Sequence, residues 1–217
     1  ILVSSNEIGQ RFVQHNNVIE SAKKAGVKHI IYTSLLGATN NNTVKSLAGE
    51  HVETEAALKA SGITYTILRN GWYTENYTAS IPAALANNAF YGSAKNGKIS
   101  SVLRAELAEA AVNVALSEGH ENQTYELAGS TSWTLADLAA EISKQTSKDI
   151  PYVDIPAADY AAALVQAGLD ESFAGLIAQW DVDASNGALL SEDKTLEKLL
   201  GRPTAGLDVA VKQALAH

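Results

Sequence analysis

Residues 63–77 read ITYTILRNGWYTENY. Up to Arg69 the stretch alternates β-branched, aromatic and aliphatic side chains, the grammar of a strand. At Asn70-Gly71, a turn dipeptide, it breaks into a loop carrying Trp72, Tyr73 and Tyr77 together with the amides Asn70 and Asn76. In an open α/β sheet, ligands sit beyond the carboxyl ends of the strands. A buried strand that empties into an aromatic, amide-rich loop therefore predicts such a sheet with a ligand at that end. Flat faces with amide donors and acceptors suit a planar heterocycle and its carboxamide.

Upstream, the same grammar occurs twice more. Residues 1–5 (ILVSS) and 27–34 (VKHIIYTS) read as strands, and a helical stretch follows each. The first helix, 10–25, is expected to bury Phe12, Val18, Ile19, Ala22 and Ala25 and to stop at Gly26. The second, 46–60, aligns Ala48, Val52 and Ala56 and ends at Gly62. Strand, helix, strand, helix, strand implies right-handed parallel crossovers and a doubly wound sheet. From about residue 81 the pattern changes. A short helix (81–88) precedes a Gly-containing, hairpin-like stretch (91–101), a helix (104–117) and a strand (124–127). Thr134-Leu-Ala-Asp137 has capping-box-like spacing for the next helix. A strand at 152–155 and mostly helices complete the chain. The predicted fold is α/β: a doubly wound parallel sheet over residues 1–80, with 81–217 forming a smaller α+β substrate-side lobe packed on it.

With 217 residues, 46% of them hydrophobic and 18% charged, the chain has ample material for a core. A net charge of −8 argues against nucleic acid, whose phosphates need a basic surface. No apolar run reaches the length of a membrane span. The absence of cysteine excludes disulfides and thiolate chemistry. These features predict a cytoplasmic enzyme or binding protein for a small molecule. The chain opens in the middle of a strand-like run and contains no methionine, so it is expected to lack an N-terminal portion.

Six stretches carry a family resemblance: ILVSSNEIGQR (1–11), AGVKHIIYTSLL (25–36), EHVETE (50–55), the opening stretch at 63–77, YELAGSTSWTLADLA (125–139) and KLLGRPT (198–204). With these the chain resembles the NmrA-like, atypical branch of the short-chain dehydrogenases. Within it, the chain is most similar to bacterial NADPH-dependent quinone reductases of the quinone oxidoreductase 2 type, with triphenylmethane dye reductases close behind. The resemblance implies NADPH as cofactor and a quinone or other conjugated molecule as acceptor. Such proteins normally begin with a Gly-rich strand–turn–helix that grips the pyrophosphate. Neither G-x-G-x-x-G nor G-x-x-G-x-x-G occurs here, and the segment expected to be missing is on the order of 70 residues. On this reading residues 1–80 are the C-terminal half of a Rossmann-like dinucleotide-binding domain, residues 1–5 are its fourth strand, with an open apolar edge, and the chain alone binds NADPH weakly.

The resemblance also implies site residues. Ser4, Ser5 and Asn6 fall where the family lines the ribose and phosphate path. Thr33 and Ser34 end the second strand, where short-chain dehydrogenases place a catalytic serine. The Tyr-x-x-x-Lys relay of those enzymes is replaced by His51-x-x-x-Glu55. Residues four apart share a helix face, so the pair either addresses one ligand or forms a solvated couple, and Glu55 is expected to raise the pKa of His51. Tyr91-x-x-x-Lys95 matches the relay by letter only, since it follows the third strand and contains Gly92. The five histidines show no metal-ligand spacing. Trp133 reads as a core anchor, Trp180 as core packing with a lining position in the substrate lobe as the alternative, and Arg104 and Glu106 as members of an interlobe salt bridge. Asn70 and Gly71 are expected against the nicotinamide, Trp72 and Tyr73 around the acceptor, and Asn76, Tyr73 and His51 as donors to its oxygen. The function that follows is hydride transfer from NADPH to a quinone without flavin. Two alternatives stand beside it: a non-catalytic NADP(H)-sensing regulator, and a reductase of triphenylmethane or azo dyes by the same step.

Overall fold

The computed structural model describes residues 1–216. Its centre is a three-stranded parallel sheet of β1 (His29–Leu35), β2 (Thr64–Asn70) and β4 (Gln123–Leu127), with β2 in the middle. Residue alternation explains why both faces are covered. Ile30, Tyr32 and Ile67 point to one side, against Ile19 of α1 (Arg11–Lys24) and Leu58 of α2 (Lys45–Ala60). Ile31, Leu68 and Leu127 point to the other, against Leu107, Ala110 and Val114 of α5 (Arg104–Leu116) and Leu196 of α9 (Thr195–Leu200). Each such side chain contributes ~1.5–3 kcal/mol on burial.

Residues 1–5 are not a full strand. Leu2 alone bridges to Tyr32 of β1, through its N–H to the Ile31 carbonyl (2.7 Å) and its carbonyl to the Thr33 N–H (3.1 Å). Both predicted helices of this half form, but turned from their expected faces. α1 buries Arg11, His15 and Ile19 while Val18 is exposed, and α2 buries Ala48, His51, Thr54, Glu55 and Leu58. Polar side chains occupy inward positions because they find one another there, which apolar periodicity cannot register.

α3 (Glu75–Thr78) and α4 (Ile81–Asn87) lead to β3 (Phe90–Gly92). The expected hairpin at 91–101 does not form. β3 pairs in parallel with the distant β5 (Tyr152–Asp154), and Ile99 bridges to Trp133. The capping box is present at α6 (Leu135–Thr146): Asp137 N–H donates to Thr134 Oγ1 (3.2 Å) and Thr134 N–H to the Asp137 carboxylate (2.8 Å). α7 (Ala157–Gln166), α8 (Glu171–Ser185) and α10 (Leu207–Leu215) complete this half around a core of Ile81, Phe90, Ile99, Trp133, Leu138 and Ile142. Trp133 is a core anchor, as its sequence context suggests. Among the described residues no helix is long and apolar enough to cross a membrane.

Candidate active site

A cleft of ≈ 330 Å³ opens where β1 and β2 end. It brings together every residue that the sequence nominated: Ser4, Ser5, Asn6, Thr33, Ser34, His51, Asn70, Gly71, Trp72, Tyr73 and Asn76. Tyr91 and Lys95 lie elsewhere, on and after β3.

Asn70 closes β2. Its backbone carbonyl is taken by Leu36 N–H (2.9 Å), and its side chain is 9% exposed with Oδ1 lacking any hydrogen-bond partner. A buried, unpaired amide oxygen costs ~1–3 kcal/mol, so it marks a place where a donor is awaited. Gly71 is glycine for a different reason. An added Cβ would stand 2.6 Å from the Leu127 carbonyl oxygen, the acceptor of Gly71 N–H at 2.8 Å, so no side chain fits between β2 and β4. Beyond it, Trp72 and Thr74 hydrogen-bond through their backbones to Val102 (2.8 and 3.0 Å), which turns the aromatic loop over the cleft.

Beneath the cleft runs a relay of polar groups. Ser5 N–H donates to His15 Nε2 (2.9 Å), so the proton of that neutral ring is on Nδ1. Nδ1 meets Thr54 Oγ1 (3.1 Å) and the Tyr32 oxygen (3.4 Å), while Thr54 sends its own proton to the Glu50 carbonyl (2.7 Å). The Tyr32 O–H is thereby left to donate to His51 Nδ1 (2.7 Å), which places the His51 proton on Nε2. His51 borders the cleft, and its Nε2 has no partner among the described residues. Burial first, then the charges of Arg11 and His15, push the His51 pKa down to about 4. Glu55 raises it, as its sequence position suggests, but burial and those two charges outweigh that contribution. His51 is therefore a neutral N–H donor at pH 7.

Nor do His51 and Glu55 form a solvated couple: both are buried, and Glu55 is bound elsewhere. Arg69 holds it in a fork, Nε to Oε1 (2.9 Å) and Nη2 to Oε2 (2.8 Å), and Ser34 Oγ donates to Oε1 (2.6 Å). Although burial alone would raise it, the Glu55 carboxyl is held below the usual range by Arg69 and Ser34. Arg69 also reaches Glu126 (2.8 Å) and Thr39 (3.1 Å), tying β2, β4 and the 36–43 loop together under the site. Ser34 thus serves this cluster with its hydroxyl.

On the open side, the Arg104 guanidinium lies 4.8 Å from the Tyr73 ring centre and donates to Asn76 Oδ1 (3.2 Å). The two N–H groups of the Asn76 amide remain for a ligand. Among the described residues Arg104 makes no salt bridge, whereas Glu106 makes one, with Arg202 (2.6 Å). Trp180 is not simply a core anchor. It packs edge-on to Trp72 (5.3 Å between ring centres), donates to Ser46 Oγ (3.1 Å) and, with Phe173, walls the cleft from α8.

Sequence reasoning missed Arg11, Arg69 and Phe173, and ranked the lining role of Trp180 below core packing. Arg11 was detectable: a cation in the first turn of a helix opposes the macrodipole, and α1 has no acidic residue there. Its Nε donates to the Ser5 carbonyl (2.7 Å), Glu50 stands 3.7 Å from Nη1, and Nη1 is buried without a hydrogen bond. The free N–H groups of Arg11 and the free oxygen of Asn70 give the cleft a cationic end and an accepting end. That pair fits a dinucleotide, anionic at its phosphates and carrying a carboxamide on its nicotinamide.

Known proteins share this chain's sequence pattern and fold. A family described as NAD(P)H-binding matches residues 2–118. Quinone oxidoreductase 2 of Escherichia coli is 53% identical over 211 residues, covering 97% of this chain and 73% of that protein. The crystal structure of the Escherichia coli NADPH-dependent quinone oxidoreductase in complex with NADPH superposes with a TM-score of 0.93 at 52% identity, over 99% of this chain and 75% of that one. Triphenylmethane reductase of Citrobacter sp. superposes equally well (TM-score 0.93) at 34% identity, over 100% of this chain and 75% of its own. On sequence, fold and cleft together, this chain belongs to the NAD(P)H-binding, NmrA-like family.

Proposed function

We propose that the cleft receives the nicotinamide end of NADPH and that the protein is an NAD(P)H-dependent reductase of quinone-like acceptors, working without flavin. The observation that carries this reading is the buried, unpartnered Asn70 Oδ1 in a cleft walled by Trp72, Tyr73 and Trp180. When bound, the dihydronicotinamide supplies a hydride. Asn70 Oδ1 accepts from the carboxamide N–H and fixes the ring's orientation. Gly71 keeps β2 and β4 in register behind it, and Ser4, Ser5, Asn6 and Thr33 border the ribose and phosphate path, with Arg11 next to it. Trp72 and Tyr73 stack the acceptor and exclude water. Asn76 N–H and His51 Nε2–H donate to the acceptor oxygen that gains charge, an electrostatic contribution that needs no strong acid. The similarity to a quinone oxidoreductase supports this acceptor class. The same reading assigns residues 1–80 to the cofactor side and 81–217 to the acceptor side, and places the activity in the cytoplasm.

The test is NADPH oxidation by the full-length protein, followed at its near-ultraviolet absorbance, with benzoquinone, naphthoquinone and crystal violet in parallel. Turnover of the quinones is expected. Turnover of crystal violet alone makes the protein a dye reductase, and tight NADPH binding without turnover of any acceptor makes it a sensor.

A further inference from the structure

A second, larger cavity of ≈ 620 Å³ adjoins the cleft and shares Trp72, Asn76, Arg104, Phe173 and Trp180 with it. Phe90, Leu135 and Ile177 make much of its wall apolar, and its size falls in the range of ligand sites. Glu75, Asn76, Ser80, Arg104 and Tyr160 also line it, and two further polar residues, Tyr77 and Asp181, are buried in its wall. Tyr77 is 8% exposed, and its hydroxyl has no hydrogen-bond partner. The Trp72 indole neighbours that oxygen, but an indole can only donate, so the phenol proton still has no acceptor. Asp181, on α8, is 3% exposed. Its Oδ2 accepts from Ser93 N–H (2.8 Å), whereas Oδ1 accepts nothing and no cation pairs with the carboxyl among the described residues.

Helix packing does not ask for a carboxylate at this position. The other buried residues of α8 are Ala174, Ala178 and Ala184. Burial, reinforced by the nearby charge of Asp154, raises the Asp181 pKa to about 6, so at pH 7 the group is ionised at a cost to folding. A buried hydroxyl whose proton has no acceptor, beside a buried carboxyl with one oxygen unused, points to a ligand that satisfies both.

We propose that this cavity takes the distal ring of the acceptor, and that Asp181 and Tyr77 select acceptors carrying a hydroxyl on that ring. A phenolic hydroxyl donates to Asp181 Oδ1 and accepts from the Tyr77 O–H. A methoxy group can only accept, and a bare ring does neither. The proposal rests on reading the neighbouring cleft as the reductase site, since the shared aromatic wall sets the acceptor's other end there.

Two measurements separate the proposal from that reading. In the full-length protein, kcat/KM for 6-hydroxy-1,4-naphthoquinone is expected to exceed that for its 6-methoxy analogue by about tenfold, as one hydrogen bond to a charged group predicts. Calorimetric titration with 2-naphthol and 2-methoxynaphthalene, which cannot be reduced by hydride, is expected to show the same preference. Asp181→Asn turns an accepting atom into an amide donor and should abolish the hydroxyl preference in both measurements. Tyr77→Phe removes a single oxygen from apolar surroundings and should reduce it several-fold. Equal binding of the two naphthalenes by the wild type, or a hydroxyl preference that survives both substitutions, overturns the proposal. Absence of all quinone turnover overturns the reductase reading instead, and the naphthalene titration still decides this one.

Discussion

Asn70 separates cofactor binding from stability at the level of one atom. Because Oδ1 has no partner among the described residues, Asn70→Leu, of nearly equal size, should leave urea stability unchanged or raise it by ~1–3 kcal/mol. The same substitution should weaken NADPH binding at least about tenfold, since the carboxamide loses its acceptor. Calorimetry and a urea titration on one sample check both halves. Tyr32→Phe acts through His51: without the phenol proton, Nδ1 is free to carry the hydrogen and Nε2 no longer must. We expect kcat to fall about tenfold, KM to change little, and the ¹⁵N shifts of His51 to report a changed tautomer. An unchanged tautomer would remove Tyr32 from its positioning role. Asn70 was legible in the sequence because an amide after a strand, beside glycine and aromatics, is unusual chemistry. Tyr32 was not, because a tyrosine inside a strand reads as packing until its hydroxyl's partner is seen.

At the scale of elements, the Glu55–Arg69 pair joins α2 to β2 and, through Glu126, to β4. Breaking one side of a buried pair leaves an uncompensated charge. Glu55→Gln should therefore cost ~3–5 kcal/mol, while Glu55→Gln with Arg69→Met should recover most of it. A double-mutant cycle in urea measures this, and additive losses would show that the pair is not coupled. Gly71→Ala should destabilise more than an exposed substitution, because the Cβ meets backbone 2.6 Å away and cannot be relieved by a rotamer. The strand–helix alternation and the capping box at Thr134 were readable, since each depends on residues close in sequence. The faces that α1 and α2 bury were not. Arg11, His15, His51 and Glu55 point inward only because partners from other elements satisfy them. Likewise, β3 found β5 some sixty residues away, where a local pattern suggested a hairpin.

Over the whole molecule, two buried groups set opposing pH dependences. His51 has a folded pKa of about 4 against 6.5 when unfolded, so the unfolded chain binds protons first and stability falls as pH drops from 6.5 towards 4. Asp181 has a folded pKa of about 6 against 3.8, so its protonation favours the folded state and stability falls as pH rises from 3.8 through 6. Each is worth up to about 3 kcal/mol. Between pH 7 and pH 5 the two partly cancel. The decline in Tm over that interval should be shallower in His51→Gln and steeper in Asp181→Asn, and Asp181→Asn should be the more stable protein at pH 7. Thermal scans at the two pH values check all three. By itself the sequence determined the α/β class, the family and the residues that line the candidate cleft at the ends of β1 and β2. Those follow from period, spacing and strings of neighbouring residues, which are local properties of a chain. Only the tertiary structure decided which polar groups are paired and which are left waiting. The Oδ1 atoms of Asn70 and Asp181 and the phenol proton of Tyr77 are available because no described residue pairs with them, and that is settled by three-dimensional neighbours alone.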